Sequence, residues 1–290
     1  MQVELVRTTT GDRLRLDGAL FAAAAPSKRA ANGPSAAILL HGVAGNFYTS
    51  STFDAVAPRL QSLGLAVLSV NTRGHDSVYG ASLGTLRRRF GAAYETVADC
   101  RHDVAAWINF LASRGHERVV LIGHSLGAIK AVYAQAHEQF PQVAAVVAVS
   151  PPRLSYAAFI NSGESSLFWE SLHTAQRMVA DGNGDELFTS RFPFPLLITA
   201  AGYLDKYGPA ERYNLLKFAA ELRCPALFTY GSKELATGGI AFAGLPELLQ
   251  ELPHGARRQV TLIDGADHIY TSCGDLLAGA IAGWLSALGK

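Results

Sequence analysis

Short apolar runs separated by stretches of helical period constrain this chain most. Ala36 to Leu40 and Val143 to Val149 are wholly apolar, Leu65 to Val70 is broken only by Ser69, and Arg118 to Ile122 is apolar after its first residue. A strand with one solvated face alternates polar and apolar side chains; these runs do not, so they predict strands buried on both faces of a parallel sheet. Pro225 to Tyr230 and Gln259 to Ile263 read as two later strands. At the start, Val3 to Thr9 and Arg13 to Phe21 flank Gly11-Asp12, a hairpin turn signal, and predict an antiparallel edge.

Between the runs the period changes. Phe53 to Leu63, Val97 to Ala112, Leu126 to Phe140 and Leu276 to Leu288 carry apolar stripes at helical spacing. In the second, Val97, Cys100, Val104, Trp107, Ile108 and Leu111 share a face. Strands alternating with helices imply right-handed βαβ units in one α/β domain. One stretch departs from this rhythm. From 151 to 224 the chain is helical and aromatic, far longer than an ordinary loop, and reads as a helical lid inserted into a core of 1–150 and 225–290. Ala22 to Ala31 reads as a surface loop.

Composition narrows the function classes. With 49% hydrophobic and 17% charged residues, the 290-residue chain can bury a large core. A net charge of +1 gives no footprint for nucleic acid or an anionic membrane, and Arg87-Arg88-Arg89 reads as a solvated run. Cys100, Cys224 and Cys273 match no metal or redox spacing and read as buried free thiols. No run reaches the length of a membrane span, and the N-terminus lacks a secretory apolar region, so a cytoplasmic protein is expected.

The chemistry centres on Gly123-His124-Ser125-Leu126-Gly127. A serine on a tight turn between strand and helix presents its hydroxyl above the sheet edge, and the flanking glycines let that turn pass close to other backbone. A second Gly-x-Ser-x-Gly match, Gly80 to Gly84, has neither a strand before it nor an apolar helix after it, so Ser82 reads as a loop serine. A serine hydroxyl needs a base. His268, in a loop after the last expected strand, fits that role best. His41 and His124 lie in glycine-containing turns where a structural hydrogen bond is expected. His102, His116, His137, His173 and His254 fall on helices or their ends, and His75 reads as a loop-folding residue. The acid should fall between serine and histidine in chain order. Glu234, the acidic residue in the turn after Pro225 to Tyr230, is the choice. Asp267 adjoins the base, Asp264 ends a strand, and Asp205 lies in the lid. Two main-chain N–H groups should hold an oxyanion: that of Leu126, and that of Val43 in His41-Gly42-Val43-Ala44-Gly45, with Ala44 the alternative.

Together LLHGVAGN, NTRGHD, GHSLG, CPALFTYGSKE and GADH resemble the α/β-hydrolase superfamily across most of the chain. That resemblance implies the α/β-hydrolase fold: an eight-stranded, mostly parallel sheet flanked by helices, with a lid after the sixth strand. It also implies esterase-like chemistry without metal or cofactor. HGVAGNFYTS and the aromatic lid are loosely similar to a branch that includes fungal siderophore esterases. Glu234 departs from the commoner aspartate, and Gly74 to Tyr94 is long for this fold and expected to shape the pocket. The expected function is carboxylic ester hydrolysis through an acyl-enzyme on a small-molecule substrate with an apolar acyl group. The alternatives are thioester, lactone or amide hydrolysis, acyl transfer, haloperoxidase-like chemistry, or a ligand receptor on the same scaffold.

Overall fold

A computed structural model describes residues 3–24, 33–163, 165–253 and 257–288. Most of the expected Ala22 to Ala31 loop, and His254, lie outside them.

Eight strands form one sheet: β1 (Val3–Thr9), β2 (Arg15–Phe21), β3 (Ala36–Leu40), β4 (Ala66–Val70), β5 (Val119–His124), β6 (Val143–Val149), β7 (Ala226–Gly231) and β8 (Arg258–Ile263). Their spatial order is β1-β2-β4-β3-β5-β6-β7-β8. β1 and β2 join antiparallel, and every other neighbouring pair from β4 to β8 is parallel. The apolar runs are strands because both faces are covered. In β3, Ala36, Ile38 and Leu40 enter one hydrophobic cluster while Ala37 and Leu39 enter the other. The first cluster takes the stripes of α2 (Cys100–Ser113) and α3 (Leu126–Glu138); the second takes those of α1 (Val56–Ser62) and α9 (Gly274–Leu288).

The stretch between β6 and β7 holds α4 (Tyr156–Ile160), α5 (Ser165–Ala180), α6 (Ala200–Tyr207), α7 (Leu215–Glu221) and a hairpin of Leu187–Ser190 with Leu196–Thr199. The hairpin departs from the wholly helical expectation. Phe159, Phe168 and Phe192 pack together fully buried, and the buried Tyr203 donates to the Phe192 carbonyl, so these aromatic residues build the insertion's own core. The insertion is tied to the core through the Thr199 amide, which donates to the Ala93 carbonyl at 2.9 Å.

A second correction concerns Gly74 to Tyr94. Tyr79–Leu83 and Leu86–Phe90 form an antiparallel hairpin, so Ser82 lies in an exposed strand, paired with Arg87, and not in a loop. Of the three thiols, Cys100 and Cys224 are buried; Cys273, ahead of α9, is half-buried.

β3, β5, β6, β7 and β8 all run the same way and end at one edge of the sheet. Open parallel sheets bind ligands at this carboxyl edge, and Val43, Ser125, Ser150, Glu234 and His268 follow those strand ends.

Candidate active site

Ser125 stands between β5 and α3 with φ 55° and ψ −121°, a conformation non-glycine residues seldom adopt. Its amide donates to the Val149 carbonyl on the next strand at 2.8 Å, which holds the turn in place. The flanking glycines are a steric requirement. A Cβ on Gly123 would lie 2.1 Å from the Gly127 carbonyl oxygen, and one on Gly127 would lie 2.3 Å from that of Leu40.

His268 lies five residues beyond β8. Its Nε2 is 3.0 Å from Ser125 Oγ, and its Nδ1 is 2.5 Å from Glu234 Oε1. A carboxylate only accepts, so Nδ1 donates and Nε2 is free to accept the serine proton. Glu234 sits in the first turn of α8 (Ser232–Thr237), and its other oxygen accepts from Ser150 Oγ at 2.6 Å and from the Gly231 amide at 3.1 Å. Ser150 spends its one proton on Glu234, so it accepts from the Tyr270 hydroxyl at 3.1 Å, which in turn accepts from Thr229 Oγ1 at 3.0 Å. This chain of buried hydroxyls fixes the carboxylate that faces the imidazole.

The other carboxylates weighed from sequence are engaged elsewhere. Asp267 accepts from the Ile269 and Thr271 amides, at 3.2 and 2.8 Å, and caps its own turn. Asp264 accepts from Ser232 Oγ at 3.1 Å. Asp205 accepts from Tyr213 OH at 2.6 Å and pairs with Arg212.

Two buried histidines hold the loops around the serine. His41 accepts the Thr72 amide on Nε2 at 3.1 Å and donates from Nδ1 to the Gly42 carbonyl at 2.7 Å. A trans peptide points its N–H opposite its carbonyl, so this bond turns the Val43 amide away from His41. Burial depresses His41 to about 3 and His124 to about 4, so both are neutral. His124 donates from Nε2 to the His268 carbonyl at 2.7 Å. Both make the structural bonds expected of turn histidines.

Above these groups is a cavity of about 380 Å³. Ser125, His268, Val43 and Leu126 line its floor, whereas Ala44 does not line it. Among the described residues neither the Val43 nor the Leu126 amide donates to a protein acceptor. The walls are mainly apolar, with Leu154, Pro193, Phe194, Tyr207 and Phe242 among them. Of the aromatic residues counted in the insertion, Phe194 and Tyr207 reach the cavity, and no residue of the 74–94 segment does. Sequence reasoning missed Ser150, Tyr270, Arg153 and Phe242. Only the paired glycines at 238–239 and Pro246 hinted at the turns around Phe242. Among the described residues no group of three His, Cys, Asp or Glu side chains is placed to hold a metal ion.

The profile of a family described as "Alpha/beta hydrolase family" matches residues 37–280. No curated protein matches the chain. Among solved structures, DcsB in complex with its substrate analogue aligns with TM-score 0.71 at 16% identity, over 99% of both chains. Est1E from Butyrivibrio proteoclasticus with bound ferulic acid aligns with TM-score 0.64 at 16% identity, over 97% of this chain and 98% of Est1E. The monoacylglycerol lipase of Paleococcus ferrophilus aligns with TM-score 0.63 at 19% identity, over 94% and 99%.

Proposed function

The chain belongs to the alpha/beta hydrolase family, and from that premise we propose that it is a serine hydrolase cleaving carboxylic esters through an acyl-enzyme. One observation carries the reading: Ser125 Oγ, His268 Nε2, His268 Nδ1 and Glu234 Oε1 form a continuous hydrogen-bond chain of 3.0 and 2.5 Å that opens into the cavity. Ser125 Oγ attacks the ester carbonyl as its proton passes to His268 Nε2. Glu234 stabilises the imidazolium. The Val43 and Leu126 amides take the oxyanion, helped by the positive end of α3. Collapse expels the alcohol, which leaves with the proton from His268. Water then attacks the acyl-enzyme, with His268 again the base, and the acid departs.

The insertion of residues 151–224 acts as a lid whose Phe194 and Tyr207 wall the cavity, and the lining suits a largely apolar acyl group. No helix among the described residues is long and apolar enough to cross a membrane. Three unpaired cysteines suit the reducing cytoplasm, the location we propose. The test is a panel of short aryl esters against wild type, Ser125→Ala and Ser82→Ala. Turnover by wild type and Ser82→Ala but not Ser125→Ala supports the reading. A folded Ser125→Ala that matches wild type overturns it.

A further inference from the structure

The cavity above Ser125 is mainly apolar; besides the serine, the imidazole and the Tyr207 phenol, its lining among the described residues carries one cation, Arg153. Arg153 lies between β6 and α4 and is half-buried. Its amide donates to the Ala241 carbonyl at 2.7 Å, and its Nη2 donates to the Ala243 carbonyl. These bonds fasten the chain leading out of β6 to the segment carrying Phe242. They leave Nε and Nη1 without a protein partner among the described residues. Arg153 Nε is shut off from solvent and has no hydrogen-bond partner among the described residues. No acidic side chain among them holds it either: burial draws its pKa below the ordinary arginine value, and the one group pulling the other way is the Tyr230 phenol.

A clip to one carbonyl needs one N–H, which lysine or glutamine also supplies. A planar fork of five donors is matched by a carboxylate, which takes two in parallel. Nη1, which makes no hydrogen bond among the described residues and is not shut off as Nε is, keeps its N–H groups open to an anionic oxygen arriving with the substrate. We infer that Arg153 selects esters carrying a carboxylate remote from the scissile bond, held by its guanidinium while the apolar walls cover the intervening chain. The inference rests on the ester hydrolase reading and narrows its substrate class from apolar esters to amphiphilic half-esters.

Two aryl esters of equal acyl length test it: 4-nitrophenyl hexanoate and the mono-4-nitrophenyl ester of adipic acid. Wild type should favour the adipate ester at least tenfold in kcat/KM. Arg153→Met should lose that preference, Arg153→Lys should keep part of it, and melting temperatures should show that both variants fold. Equal turnover of the two esters by wild type, or an undiminished preference in Arg153→Met, overturns the inference and leaves the hydrolase reading intact. Turnover of neither ester by wild type overturns both.

Discussion

The imidazole of His124 donates to the main-chain carbonyl of His268 at 2.7 Å, so the residue before the serine holds the loop that carries His268. Their ring centroids lie 4.9 Å apart, and that of Phe242 lies 5.2 Å from His268. His124→Phe keeps ring volume but leaves that carbonyl without its donor, at a cost of about 1–3 kcal/mol. We predict a roughly tenfold fall in kcat with KM little changed, together with a lower melting temperature. A variant with wild-type kcat would show that His268 is positioned without this bond.

Glu234→Gln should lower kcat by about 10⁴-fold, the usual effect of removing an orienting carboxylate, with little change in melting temperature. Asp264→Asn and Asp267→Asn should lose far less, because both carboxylates serve their own turns. Ser150→Ala, which removes the 2.6 Å bond behind Glu234, should fall between. Measuring kcat across this series decides the acid; a dead but folded Asp267→Asn beside an active Glu234→Gln would move it.

Stability should fall with pH below about 6.5. His124 and His41 titrate at about 4 and about 3 in the native protein because burial disfavours the cation, against 6.5 ordinarily. Between those values and 6.5 the unfolded chain binds protons that the folded one does not. Stability is therefore full above pH 6.5 and drops as pH falls, by about 1.4 kcal/mol per pH unit for each histidine. Urea melts from pH 7.5 to 5 measure the slope. His124→Phe should reduce it, and a flat wild-type profile would contradict the burial argument.

Much of the fold is legible in the sequence because two-sided burial leaves a local mark. The run at Leu65 to Val70 is a strand from Ala66 to Val70, and the stripe beginning at Val97 becomes α2 after one turn of 3-10 helix. The hairpin of Tyr79–Leu83 and Leu86–Phe90 left only a weak mark, since Tyr79, Ala81 and Leu83 alternate with exposed residues for one short strand and Arg87 to Arg89 are an exposed run without apolar alternation. Gly-x-Ser-x-Gly was legible because two carbonyl contacts forbid a Cβ at either glycine. The hydroxyl chain behind Glu234 was not. Its links join residues 84 and 120 positions apart, and neither Ser150 nor Tyr270 differs in sequence from any buried hydroxyl. Arg153 was hidden for the same reason, as its surroundings exist only once β6 and the Phe242 segment meet.

Lys130 and Glu95 form an ion pair with no solvent exposure, on which the Thr72 hydroxyl and the loop after β4 also converge. Burial pushes the Glu95 carboxyl up, but Lys130 and Lys206 outweigh it and hold it below its ordinary value. Removing one member strands the other without solvent, so Glu95→Gln and Lys130→Met should each cost about 3–5 kcal/mol. The double variant should cost clearly less than the sum. By contrast, breaking the exposed Arg7–Asp17 pair should cost under about 1 kcal/mol. Additive losses in the buried pair, measured by urea unfolding, would show that the two charges do not depend on each other.

The central claim is that Ser125 is the nucleophile activated by His268. Its most direct test is covalent: react the protein with a fluorophosphonate, digest it, and locate the adduct by mass spectrometry. One phosphonyl group per chain is expected, on Ser125, absent in Ser125→Ala and strongly slowed in His268→Ala. An adduct on Ser82 or elsewhere, or a wild type that stays unlabelled while folded, would contradict it.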